Sequence, residues 1–131
     1  MQNTILFGHG SRDPAWRIPI DRVAERMRAI DPQCGVRCAF LELTEPDIKQ
    51  VATELVANGV THITVLPMFL GVGRHAREDL PLLVQELQVK YPKVEFELKP
   101  SVGEEPLVIE VLAKLALEPR SQGPSEARTT T

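Results

Sequence analysis

The order in which apolar side chains recur along this chain leaves it few folds to choose from. Four short apolar runs occupy residues 4–7 (TILF), 36–43 (VRCAFLEL), 63–70 (ITVLPMFL) and 94–98 (VEFEL). Continuous or period-two apolarity over so few residues marks a β-strand. Between the runs, apolar residues return at three- and four-residue intervals. Trp16, Ile20, Val23, Met27 and Ile30 line one face of a helix. Its regular part begins near Arg17, because Pro19 cannot sit deep inside it. Ile48, Val51, Ala52, Leu55 and Val56 form a second stripe. Thr44 is placed to cap that helix, with Asp47 three positions on, Pro46 in the first turn and Asn58-Gly59 to end it. Leu80, Leu83, Val84 and Leu87 form a third stripe, with Pro81 near its start, and Val108, Val111, Leu112 and Leu115 a fourth. Strands alternating with helices predict an α/β fold. The expected form is a small doubly wound, four-stranded parallel sheet in the order 2-1-3-4, with helices on both faces. The last strand alternates Val94, Phe96 and Leu98 with Glu95 and Glu97, which suits a sheet edge with one wet side.

Length and composition fit one such domain. At 131 residues, 43% hydrophobic and 25% charged, the chain can bury a core without disulfides or a structural metal. Eighteen acidic residues against 15 basic ones give a net charge of -3, which argues against a nucleic-acid partner. No apolar run approaches the ~20 residues of a membrane span. The first residues lack the basic segment of a signal peptide, so no membrane partner and a cytoplasmic setting are expected. Cys34 and Cys38 are the only cysteines, and a Cys-x3-Cys without a second pair reads as packing rather than as a zinc site. Residues 118–131 (EPRSQGPSEARTTT) carry nothing that would pack into a core. They are expected to form a flexible tail after a domain spanning residues 1–117.

In a doubly wound sheet, ligands sit beyond the carboxyl ends of the strands, where the winding direction reverses. For the order 2-1-3-4 that point lies between strands 1 and 3. The two loops there are residues 8–13 (GHGSRD) and 71–79 (GVGRHARED). Each joins glycines to a histidine, so His9 and His75, two of the chain's three histidines, fall at the expected site. His62 lies at the opposite end of the sheet and reads as an exposed loop residue. Imidazole is a ligand for cobalt, nickel, iron and zinc, and a base that ordinarily titrates near ~6.5. Glu42, at the end of strand 2, is a candidate third ligand or simply a strand residue facing water. Glu45 stands at the following helix start, where a carboxylate suits the helix dipole as well as a function. Arg12, Arg74 and Arg77 would ring the mouth, either as solvated loop charge or as partners for an anionic substrate. No G-x-G-x-x-G or G-K-[ST] pattern is present, which argues against a nucleotide phosphate site of either common type.

Three strings together resemble the small CbiX-type chelatases, short class II enzymes acting on sirohydrochlorin. They are LFGHGSRDP after the first strand, FLELTEP at the second and VLPMFLGVGRHAREDLP from the third onward. The likeness runs over nearly the whole chain, to about Leu117. It implies a lyase that inserts a divalent metal into sirohydrochlorin, a tetrapyrrole polycarboxylate, during cobalamin- or siroheme-type biosynthesis. Co²⁺ is the first expectation, with Ni²⁺ and Fe²⁺ as alternatives. The metal is then a substrate, and no permanently bound cofactor is implied. One short chain corresponds to half of a bilobal enzyme, so the resemblance also implies a homodimer. By position, His9 matches the motif histidine, a metal ligand and proton acceptor, and His75 the second metal-binding histidine. Glu45 and the loop residues Leu70, Gly71, Val72, Gly73 and Arg74 match positions that contact substrate, with Arg12 at the rim. The histidine-rich insertions or tails of some members are missing here.

Two other readings use the same residues. A small hydrolase would take Ser11 as nucleophile and His9 or His75 as base, although Ser11 is not on a G-x-S-x-G elbow. A non-catalytic metal carrier would use the two histidines alone, and would have no need of the arginine-bearing second loop.

Overall fold

A computed structural model describes residues 2–119. The elements are β1 (Gln2–Gly8), a 3-10 turn (Pro14–Arg17), α1 (Ile18–Ile30), β2 (Val36–Phe40), α2 (Ile48–Ala57), β3 (His62–Pro67), α3 (Arg74–Lys90), β4 (Glu95–Leu98), a 3-10 turn (Val102–Glu104) and α4 (Pro106–Leu117). The sheet runs β2-β1-β3-β4, and every neighbouring pair is parallel. This is the doubly wound order expected from the sequence. The register sets Gly8 beside Phe40 and Phe7 beside Pro67, so β1, β2 and β3 end together at one edge.

The central strand explains its own sequence. Ile5, Leu6 and Phe7 are completely buried, because β1 is covered on both faces. Ile5 and Phe7 join the larger core with Ile63 and Val65 of β3, Val51 and Leu55 of α2, and Leu80, Val84 and Leu87 of α3. Leu6 faces the other way, into a smaller cluster with Ile20 and Ala24 of α1 and Val36 and Phe40 of β2. On β4, Phe96 and Leu98 are half-buried while Glu95 and Glu97 are exposed, as the alternation predicts for an edge.

Several boundaries differ from the expected ones, each for a local reason. β2 ends at Phe40 rather than Leu43, because the chain turns sharply through Leu43 at φ 65°. β3 ends at Pro67 rather than Leu70, and the Met68 N–H continues to the Phe7 carbonyl at 2.8 Å. Thr44 does not cap α2. Asp47 does, in a capping box with Gln50, and Pro46 lies just before the cap. α3 starts at Arg74, so His75 and Arg77 are helical rather than in a loop, and Pro81 sits inside the helix rather than near its start. Pro81 has no N–H to offer the Arg77 carbonyl, and its ring instead lines a small cavity of about 140 Å³ with Phe69, Val72 and Leu98. The stripe on α4 is not buried: no residue of that helix enters the core. The tail expected over 118–131 lies outside the described residues from position 120 onward.

Candidate active site at the carboxyl ends of the strands

The loop after β1 and the loop after β2 are stitched to one another. The Leu41 N–H donates to the Gly8 carbonyl at 2.9 Å and the Glu42 N–H to the His9 carbonyl at 3.1 Å, extending the β1–β2 ladder beyond its strands. Thr44 then clamps the first loop twice. Its hydroxyl accepts from the Ser11 N–H at 2.9 Å and donates to the Ser11 carbonyl at 2.8 Å. Gly10 makes the approach sterically possible. Its φ is 105°, and a Cβ there would overlap the Glu42 carbonyl.

These backbone contacts set two side chains together. His9 Nε2 lies 3.4 Å from Glu42 Oε2, and both groups are about half-exposed. Beneath them, the His9 ring meets the edge of Phe69, whose own ring packs edge-on against Phe7. Phe69 is buried, so the imidazole has an apolar floor and a wet side. The pair offers a base or ligand nitrogen next to a carboxylate, both half-exposed to solvent.

The second expected histidine is placed differently. His75 Nε2 lies 3.0 Å from Asp79 Oδ2, one turn along α3. Among the described residues, no group of three or more His, Cys, Asp or Glu side chains stands close enough to hold a metal ion. The structure thus brings His9 to Glu42 and His75 to Asp79, rather than gathering His9, His75 and Glu42 into one cage. Arg74 and His75 begin α3, whose first turn carries no acid. Cations at a helix N-terminus oppose the dipole. Asp79 offsets His75 from within the helix, whereas Arg74 has no acid beside it in the first turn. Arg77 donates to the Val72 carbonyl at 3.3 Å and so holds the preceding loop. In that loop Leu70 is exposed, and Cβ atoms at Gly71 and Gly73 would meet nothing within 4 Å. Those glycines leave room rather than relieve a clash. Arg12 and Glu45 are both exposed, and Arg17 reaches toward the Glu45 carbonyl at 3.5 Å. Ser11 is a turn residue whose hydroxyl accepts from the Asp13 N–H at 3.0 Å, which leaves the hydrolase reading without a nucleophile–base contact.

Sequence reasoning missed Thr44 as a clamp, Phe69 as the floor and Gly103 as a support. Gly103 donates to the Phe69 carbonyl at 3.0 Å, and a Cβ on it would overlap Leu70. A glycine followed by two acids gave no signal of that contact, which forms between loops far apart in the chain.

A doubly wound parallel sheet with a histidine–carboxylate pair at its switch point defines the class: a small four-stranded α/β protein with its candidate site at the carboxyl edge. The CbiX family model matches residues 3–118, and the chain belongs to that family. It is 33% identical to the sirohydrochlorin cobaltochelatase of Methanopyrus kandleri over 84 residues, 64% of this chain and 59% of that protein. Its likeness to the Sulfolobus acidocaldarius sirohydrochlorin cobaltochelatase is longer, 27% over 116 residues, covering 88% and 90%. A CbiX protein from Marinobacter aquaeolei superposes with a TM-score of 0.72 at 30% identity, over 90% of this chain and 98% of that one. The chelatase SirB from Bacillus subtilis subspecies spizizenii, solved in complex with cobalt, gives a TM-score of 0.71 at 28% identity, over 88% of this chain but 50% of SirB. The matched segment spans about 59% of the first curated relatives, so the chain aligns with part of their length. Among the described residues, no helix is long and apolar enough to cross a membrane.

Proposed function

We propose that this chain inserts a divalent metal into sirohydrochlorin, with Co²⁺ as first candidate and Ni²⁺ or Fe²⁺ as alternatives, and that it works in the cytoplasm as a homodimer. The observation that supports this most directly is the His9–Glu42 pair at the switch point. Metallation exchanges one divalent cation for two pyrrole protons. A site that serves it must hold the metal loosely, leave coordination positions for incoming ring nitrogens, and take up protons. His9 Nε2 can bind the metal or accept a proton, and the Glu42 carboxylate beside it can share the ion or bond the imidazolium that results. Two donors give up a metal more readily than a closed four-donor cage would. The wet side of the pair leaves the other positions to the ring.

The remaining residues suit a flat polyanion. Arg74 at the start of α3 and Arg12 after β1 would pair with its carboxylates and orient it over His9. Leu70, Gly71, Val72 and Gly73 offer an open, largely apolar ledge, and Glu45 lines the opposite lip. His75, bonded to Asp79, would act as a second metal-binding group on the entry side; an acid on a ligand histidine fixes the orientation of its ring. Replacing His9 with Ala is expected to abolish metallation while leaving circular dichroism unchanged. Turnover like the wild type from a folded His9→Ala protein would sink the proposal. His75→Ala is expected to weaken metal binding in a direct titration, and an unaltered isotherm would remove it from the site.

A further inference from the structure

Among the described residues, Leu43 is the one residue other than glycine with a positive φ, 65°. The Thr44 N–H donates back to the Glu42 carbonyl at 2.7 Å, which closes a γ-turn with Leu43 at its centre. With positive φ at the centre this is the rare, strained form of the turn. Glycine or asparagine would take that backbone with less strain than a leucine does. The neighbours impose it. The Glu42 N–H is held by the His9 carbonyl at 3.1 Å, and the Thr44 hydroxyl grips both backbone groups of Ser11. Leu43 bulges out between these two anchored residues.

Its side chain is unfavourably placed as well. Leu43 is 54% exposed, although Leu41, two residues earlier, packs against the larger core. A leucine left in water forgoes much of the stabilisation that burial gives. Strain and exposure therefore coincide beside the Glu42 carboxylate, and residues held in sparse backbone regions gather at ligand clamps. Leu70 is the counterpart on the other side. It is 70% exposed and follows Phe69, whose ring floors His9. Its loop is fixed too, since the Gly103 N–H holds the Phe69 carbonyl at 3.0 Å and the Leu70 backbone fills the space of a Cβ on Gly103. Because β1 lies between β2 and β3, the loop bearing His9 emerges between the loops bearing the two leucines.

We propose that Leu43 is a substrate-binding residue, and that with Leu70 it bears on the apolar face of a large flat conjugated ring presented to His9 and Glu42. This rests on the metallation reading and deepens it, by naming a residue that serves the macrocycle and has no part in holding the metal. A hydrated cation has no use for an exposed leucine, and neither has a carboxylate. The ring face of a tetrapyrrole polycarboxylate does, because burying it against leucine removes apolar surface from water on both sides. The arginines would then serve the rim and the leucines the face. Anchoring Leu43 on both sides keeps it from collapsing onto the core when the site is empty, so little loop order has to be gained on binding.

Leu43→Asn tests this, since asparagine suits a positive φ and removes the apolar surface; Leu43→Met keeps that surface. Metal-free sirohydrochlorin binding is read by anaerobic absorbance titration, Co²⁺ binding without the ring by calorimetry, and stability by urea unfolding. Leu43→Asn is expected to leave the urea midpoint at or above that of the wild type. It is expected to weaken ring binding about tenfold with Co²⁺ affinity unchanged, while Leu43→Met binds the ring like the wild type. A merely structural leucine would instead lower stability, ring binding and metal binding together, and that result overturns the proposal. So does undiminished ring binding by a folded Leu43→Asn protein. Should Leu43→Asn misfold, Leu43→Gly makes the same comparison, because glycine adopts positive φ freely. A wild type that binds no sirohydrochlorin overturns the chelatase reading and this proposal together, whereas a Leu43→Asn protein that binds and metallates the ring like the wild type overturns this proposal alone.

Discussion

At φ 105°, Gly10 occupies backbone space closed to most side chains, and its hydrogen stands where a methyl would strike the Glu42 carbonyl. The His9–Glu42 pair depends on that contact. Gly10→Ala is expected to cost about 2 kcal/mol or more, read by urea unfolding, and to cut metallation more than stability alone explains. A variant as stable and active as the wild type would show that the loops are free to separate. His9 was legible because strand periodicity fixed the topology and topology fixed the switch point. Glu42 was legible only as a strand-end acid, since its partner is set by register. Thr44 was misread, because its hydroxyl serves Ser11, 33 residues away, and no local pattern announces such a bond. Cys38 shows a different residue-scale effect. Burial first, and the Asp21 carboxylate second, push its thiol above the ordinary range. The native state therefore favours the protonated thiol. That contribution to stability is complete below about 8.5, the usual cysteine value, and is lost as pH rises through the higher folded value. Alkylation at pH 8 is expected to be slower at Cys38 than at a free cysteine of the unfolded chain, checked by mass spectrometry of the labelled peptides.

Among the elements, the strands and the start of α1 follow the hydrophobic pattern closely, and the starts of α2 and α3 do not. A continuous apolar run reports burial on both faces, but it does not report where the ladder stops. β2 and β3 end before their apolar runs do, since Leu41, Leu43, Met68 and Leu70 belong to the loops that build the site. Thr44 was expected to cap α2, but the cap is Asp47, which has Gln50 three places on to complete the capping box. Asp47→Ala is expected to lower stability by about 1 kcal/mol in chemical denaturation, with no effect on the His9–Glu42 distance or on metal binding. A loss of metal binding at unchanged stability would mean that the cap also positions the lip of the site. The position of Pro81 misled for a physical reason: proline usually marks a helix start, but here the turn before it is held by Arg77 on Val72 and by packing of Ala76 and Leu80 in the core.

For the whole molecule, alternating strand and helix patterns were enough to give the sheet order. They could not say that α4 would stay outside the core, because an apolar stripe reports a helix that favours burial and not what it packs against. The same reasoning bounds the site. One chain presents a histidine, a carboxylate, a basic helix start and an open ledge, which together suit handing a cation to a polyanionic ring. The direct test is an anaerobic absorbance time course of sirohydrochlorin with Co²⁺, Ni²⁺ or Fe²⁺, with and without the protein. A protein-dependent rise of the metallated spectrum, lost in His9→Ala, is the expected result. Identical traces with and without folded, metal-binding protein for all three ions would contradict the assignment and leave a metal carrier on a chelatase fold.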